Sequence, residues 1–299
     1  MKCFQYVILF LAVSLLTGVT AAEAQVSRGK VLEGLTIDSD LMGEEMRYTV
    51  YLPFDYETSN RHYPVVYLLH GYGDNDMGWV QFGEVNMKVD KAIAQGKIPP
   101  MIIVMPDGGV SWYINNHDKS VPYEDYFFEE FIPYIESKYR IRQKKRYRGI
   151  AGLSMGGFGT LVYSMKHPDK FAACAAFSAG LTVPDEVENQ DQQRWDNVFG
   201  PVYGKGLEGK ERLNDHFLAN NPFHIAKNTN KEKLNSVRYY IDCGDDDFLS
   251  PANNEFHNLL IEEGINHEYR VRDGHHSWTY WRTGIIDGLE FIGKSFHQF

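Results

Sequence analysis

Cysteine is scarce in this 299-residue chain, which has only Cys3, Cys174 and Cys243. A small domain held by a disulfide framework is thereby excluded. Cys174 and Cys243 lie in apolar, strand-like runs at 171–177 and 239–243 and read as buried free thiols, although an exported protein would be able to bridge them. Clusters of positive charge are equally sparse: the formal net charge is −10, and the one Lys/Arg-rich stretch, 140–148, adjoins a predicted strand. That balance argues against a nucleic-acid partner and disfavours strongly anionic substrates. Long apolar runs are missing too. The run at 7–16 is too short for a stop-transfer span; with Lys2 before it and the small-x-small site Ala22-Glu23-Ala24 after it, residues 1–24 are expected to be a signal peptide removed before Gln25. Cys3 precedes the apolar core and no cysteine stands at the cleavage point, which argues against a lipoprotein. The expectation is an exported protein, periplasmic or extracellular, with no stable membrane span. Residues 25–299 suit one large domain with a substantial core.

The stretch around which the chain is organised is Gly152-Leu153-Ser154-Met155-Gly156. The residues before it, 147–151, read as the end of a buried strand, and Met155, Phe158, Val162 and Met165 follow at helical spacing. Ser154 therefore stands at a sharp strand-to-helix turn, a nucleophile elbow. A serine hydroxyl attacks only when a base removes its proton, and the elbow holds it clear of the sheet where a histidine can reach. A Gly-rich structural turn is the plainer alternative for the same pentapeptide.

Other predicted elements frame it. Residues 31–37 and 46–53 read as a hairpin turning at Gly43-Glu44-Glu45, with Tyr48, Val50 and Leu52 on an apolar face and Arg47, Thr49 and Tyr51 on a wet one. The runs 63–69 and 101–105 read as doubly covered central strands. The first delivers His70-Gly71-Tyr72-Gly73, whose backbone suits an oxyanion hole formed by the amides of Tyr72 and Met155. His70 reads as a structural residue orienting that loop, and Asp74 to Asp76 as loop chemistry rather than a cation site. Residues 123–139 form a predicted helix with Phe127, Phe128, Phe131, Ile132 and Ile135 on one face and a kink expected at Pro133. Strands and helices alternating in this way call for a mainly parallel sheet with helices on both faces. Between 178 and 222 periodicity is lost, and the stretch is expected to be a lid or pocket wall.

Acids and histidines close the chain. A strand at 238–243 runs into Asp245-Asp246-Asp247, and a last strand at 267–271 runs into His275-His276. Ser, then acid, then His on successive strand ends is the order of a nucleophile, a carboxylate that orients, and a base. The residues alone leave four acids (Asp242, Asp245, Asp246, Asp247) and two histidines open.

Tyr51-Leu52-Pro53, Leu68-Leu69-His70-Gly71, the 123–139 helix with Ile132-Pro133, Gly152-Leu153-Ser154-Met155-Gly156-Gly157, Cys243-Gly244-Asp245-Asp246-Asp247 and Gly274-His275-His276-Ser277-Trp278-Thr279-Tyr280-Trp281 together resemble the esterase D and feruloyl esterase branch of the α/β-hydrolases. The resemblance covers nearly all of 25–299. It implies the α/β-hydrolase fold, a Ser154–Asp247–His276 triad, no metal and no organic cofactor. It also implies a secreted esterase that removes feruloyl or acetyl groups from plant xylan, with Trp112, Trp195 and Trp278 as candidate substrate contacts. Siderophore-ester hydrolysis, acyl transfer and non-catalytic glycan binding are the alternatives; a serine peptidase lacks support, because nothing marks a peptide groove.

Overall fold

The computed structural model describes residues 28–296, so the expected signal peptide at 1–24 lies outside the described residues. Among the described residues no helix is long and apolar enough to cross a membrane. Eight strands make one sheet: β1 (Lys30–Ser39), β2 (Glu44–Leu52), β3 (Val65–Leu69), β4 (Ile102–Pro106), β5 (Arg148–Leu153), β6 (Ala173–Phe177), β7 (Arg238–Gly244) and β8 (His267–Arg272), in the order β1-β2-β4-β3-β5-β6-β7-β8. β2 runs antiparallel to β1 and β4, and the remaining pairings are parallel.

Alternation along each strand feeds two cores. Val66 and Leu68 of β3, with Ala151, Ala175 and Phe177, pack beneath the helices Val85–Ala94 and Trp278–Gly293. Val65, Tyr67 and Leu69 point the other way, with Ile150, Cys174 and Ile241, toward the 123–138 helix and the helices Met155–Lys166 and Ser250–Glu262. Coverage on both faces explains why β3, β4, β5 and β6 are buried throughout and read as continuous apolar runs. Cys174 and Cys243 are buried free thiols on neighbouring strands.

Three local expectations need correction. The turn of the first hairpin is complete at Gly43, which holds φ +71°, and β2 already begins at Glu44. Its Thr49/Tyr51 face is dry, because the Val85–Ala94 helix and the 74–77 loop cover it; the Thr49 and Tyr51 hydroxyls donate to Asp76 and Asp90, both at 2.6 Å. In the 123–138 helix, Tyr126–Phe131 is wound as a π-helix, and the Ile132 N–H reaches back to the Phe127 carbonyl. Pro133 brings no N–H to the next turn, and the wider winding directly before it accommodates that loss.

The stretch after β6 is a chain of short helices rather than an unstructured loop: Pro184–Val187, Gln192–Arg194 continuing as a π-helix over Trp195–Phe199, then Gly200–Tyr203, Gly209–Arg212 and Asp215–Ala219. Its Trp195, Phe199, Tyr203 and Phe217 are buried and extend the core on the Val65/Tyr67/Leu69 face of the sheet. Arg212, 2% exposed, gives its guanidinium to the carbonyls of Val187, Gln190 and Leu207 and lies over the Trp195 ring. One buried cation thus satisfies carbonyls that such short helices leave without partners.

Candidate active site

Ser154 sits between β5 and the Met155–Lys166 helix with φ +53° and ψ −117°. No ordinary strand or helix residue adopts that conformation, and it persists because the surroundings fix it. The Ser154 N–H donates to the Phe177 carbonyl at 2.9 Å, and the Ser154 carbonyl accepts from Gly180 and Phe158 at 2.9 and 3.0 Å. Gly156 permits the turn, since a Cβ there would run into the backbone carbonyls of Leu69 and His70.

The structure brings Ser154, His276 and Asp247 together. His276 Nε2 is 3.0 Å from Ser154 Oγ, and His276 Nδ1 is 2.9 and 3.1 Å from the two Asp247 oxygens. Asp247 is fully buried at its side chain, whereas His276 keeps 20% exposure. Burial alone would raise the Asp247 pKa; its bonds to His276, to the Leu249 N–H and to Ser178 outweigh burial and hold it below the usual carboxylate value. A carboxylate kept ionised behind an imidazole, with a hydroxyl on the far nitrogen, can withdraw that hydroxyl's proton and stabilise the imidazolium that results.

The other candidate acids are occupied elsewhere. Asp242 is buried and bonded by Arg272 through both carboxylate oxygens and by the hydroxyls of Tyr240 and Tyr280. Asp245 accepts from the amides of Gly274 and Asp246, and Asp246 lies 3.9 Å from exposed His275. Asp245, Asp246 and Asp273 bring carboxylate oxygens within 4.8 Å of one another, all on the solvated rim.

The loop after β3 is held by its histidine. His70, 1% exposed, has Nδ1 2.8 Å from the Gly71 carbonyl and accepts at Nε2 from the Gly108 N–H at 2.8 Å. The Tyr113 hydroxyl donates to the His70 carbonyl. Met155 opens its helix, so its N–H is one of the donors that a helix leaves unsatisfied at its start. Among the described residues, the Tyr72 N–H likewise has no protein acceptor.

The three candidate tryptophans take different places. Trp112 stands beside the nucleophile: a Cβ on Gly180 would come 3.0 Å from its ring and 3.3 Å from the Ser154 carbonyl. Its ring packs on Phe158 and Phe199, and its Nε1 donates to the Val198 carbonyl at 3.1 Å. Trp195 is a correction: it has no exposed surface, donates to the Gly204 carbonyl and stacks on Tyr203 inside the lid, so it offers a substrate nothing. Trp278 is half-buried edge-on against Trp79, beside exposed Phe82, and packs on Trp281, the ring that stands perpendicular to His276.

Two neighbours of the site carry no signal in the sequence. Ser178, buried at φ +44°, accepts from Trp281 Nε1 at 3.0 Å and faces Asp247; only the meeting of β6, β7 and the final helix makes it relevant. Phe248 lays its ring 4.7 Å from the His276 ring.

Comparison with known proteins agrees with this architecture. The family model described as Putative esterase matches residues 39–292. An acetyl esterase of Caldicellulosiruptor saccharolyticus is 27% identical over 251 residues, covering 81% of this chain and 87% of its own. An endo-1,4-beta-xylanase/feruloyl esterase of Xylanibacter ruminicola is 31% identical over 170 residues, 53% of this chain but 23% of that longer protein. A solved ferulic acid esterase superposes with a TM-score of 0.78 at 33% identity, covering 90% of this chain and 99% of its own. The chain therefore belongs to the Putative esterase family and is an esterase of the α/β-hydrolase fold.

Proposed function

We propose that this esterase is exported and releases feruloyl or acetyl groups from xylan through an acyl-enzyme on Ser154. The observation that carries the reading is the continuous line from Asp247 through His276 to Ser154, with contacts of 2.9 and 3.0 Å. His276 takes the Ser154 proton as Oγ attacks the ester carbonyl. The N–H groups of Tyr72 and Met155 meet the developing oxyanion, and the imidazolium then protonates the departing sugar oxygen. Water, deprotonated by the same nitrogen, attacks the acyl-enzyme; Ser154 recovers its proton and the acid leaves.

Support for the substrate comes from two directions. Trp112 packs on Phe158 and Phe199 close to the Ser154 backbone, and we place a phenolic acyl group against the edge of this largely buried aromatic cluster. The relatives' names, acetyl esterase and ferulic acid esterase, name the two acyl groups proposed. The expected signal peptide suits a polymer too large to enter a cell.

The test is kcat/KM on methyl ferulate and on acetylated xylan side by side, with Ser154→Ala as control. Hydrolysis of at least one, abolished in a folded Ser154→Ala protein, is expected. Turnover retained by that variant would remove Ser154 from its role, and preference between the esters assigns the acyl group.

A further inference from the structure

Phe248 is 65% exposed, the most exposed of the large apolar side chains among the described residues. Leaving a phenyl ring in water rather than in a core forgoes about 2 kcal/mol of transfer free energy. The ring does not stand at random. It follows Asp247 directly, and its centroid lies 4.7 Å from that of His276 at an interplanar angle of 51°, so the loop presents it at the mouth of the site. Trp281 closes the same imidazole from another direction, 4.8 Å away and perpendicular, but is buried.

The chemistry of the site assigns sides to the substrate. The imidazole that receives the Ser154 proton must hand it to the leaving oxygen, so the alcohol half of the ester departs on the His276 side. The acyl half stays on the Ser154 hydroxyl. Phe248 is the exposed aromatic ring packed against the imidazole, on the side where the alcohol departs. The loop that carries it is acidic and solvated: Asp245 and Asp246 precede it in the chain, are exposed, and bring their carboxylates within 4.8 Å of that of Asp273. A long alkyl alcohol would call for an enclosed apolar channel. One open ring on an acidic, solvated loop offers instead a stacking face for C–H bonds and acceptors for hydroxyl groups, which is the chemistry of a neutral sugar. The same carboxylates repel uronic acids and phosphates.

We propose that Phe248, exposed on the acidic 245–248 loop and packed against His276, is a carbohydrate subsite that docks the leaving sugar of the ester. This rests on the reading of Ser154 and His276 as nucleophile and base. Phe248 acts in specificity: it binds the alcohol half and leaves bond-making to the residues beneath it.

Two measurements test it. The first compares Phe248→Ala and Phe248→Tyr with the parent on a feruloylated arabinoxylo-oligosaccharide and on methyl ferulate, which has no sugar. Phe248→Ala is expected to lose about tenfold in kcat/KM on the sugar ester, mainly through KM, and at least fivefold more than on the methyl ester; Phe248→Tyr restores most of the loss. Equal losses on both esters, or none on the sugar ester, overturn the proposal. The second measures binding of the unesterified oligosaccharide to Ser154→Ala protein by ligand-observed NMR, with and without Phe248→Ala. Weaker binding in the double variant supports the subsite even if the parent hydrolyses neither ester, an outcome that would sink the esterase mechanism alone. Binding unaffected by the loss of the ring overturns the subsite.

Discussion

Adjacent histidines at the end of β8 face different surroundings, and the difference assigns their roles. His276 lies between Ser154 and Asp247 at 20% exposure, while His275 is 76% exposed and reaches only Asp246, at 3.9 Å. Replacement of His276 by Ala should lower kcat by at least about a thousandfold, because the hydroxyl loses its base. His275→Ala should stay within about twofold, since that ring touches no reacting group. Kinetics of the two variants on methyl ferulate decide the matter, and the reverse ranking would move the base by one residue. The pair also shows the limit of spacing: two histidines in sequence are equivalent as chemistry, and only the side of the loop on which each emerges separates them. Asp247 stands out from its three neighbours for the same reason, its carboxylate being the one turned toward the imidazole.

At the scale of elements, the lid owes its position to a few long-range bonds. Trp112 and Tyr113 both hold positive φ, +53° and +61°, a strained arrangement for large side chains. That strain sets the Trp112 indole against Phe199, with its N–H on the Val198 carbonyl, while the Tyr72 hydroxyl reaches the Asn197 carbonyl at 3.3 Å. The loops that carry Tyr72 and Trp112 are thereby tied to one turn, 197–199, of the helical stretch after β6. Trp112→Phe keeps a ring there and removes the donor. It should cost about 1 kcal/mol and speed amide exchange in 195–203. Exchange unchanged from the parent in that segment would mean that packing alone holds the lid. None of this was legible in 178–222, where short helices with Gly and Pro breaks have no period, and where Trp195 reads equally as a contact or a core residue. Burial of Arg212 among lid carbonyls decides the folding of that stretch, and no local pattern announces it.

Across the whole molecule, carboxylates that bind cations and amides tie stability to pH. Asp107 illustrates the sign: burial would raise its pKa, but the Gly109 N–H and the Arg47 guanidinium, both donating to the carboxylate, prevail and hold it below the usual carboxylate value. A lowered folded value means the stabilisation is present above the unfolded pKa and is lost as pH falls through the folded one. Asp107 should therefore stabilise the fold at neutral pH, a contribution lost as pH falls below the usual carboxylate pKa of about 4. Glu124, also lowered by His167 and Lys166 against its burial, loses its contribution in the same direction. Urea unfolding of the parent and of Asp107→Asn at pH 7 and pH 3 checks this: the stability gap should narrow on acidification, and a gap that widens would contradict it.

The sequence by itself determined the alternation of buried strands and helices, the strand-to-helix turn at Ser154 and the order in which a serine, an acid and a histidine follow on successive strand ends, because these depend on local periodicity and on residues near in the chain. Strand limits came close for the same reason; the supposed wet face of β2 did not, because a helix from elsewhere covers it. Tertiary structure alone decided which acid faces the imidazole, that Trp112 packs near the Ser154 backbone while Trp195 is sealed among the short helices after β6, and that Ser178 and Phe248 stand beside Asp247 and His276. Those outcomes depend on which strand ends the sheet order brings together, and contacts between residues more than a hundred positions apart, such as Ser154 and His276, are written in no local pattern.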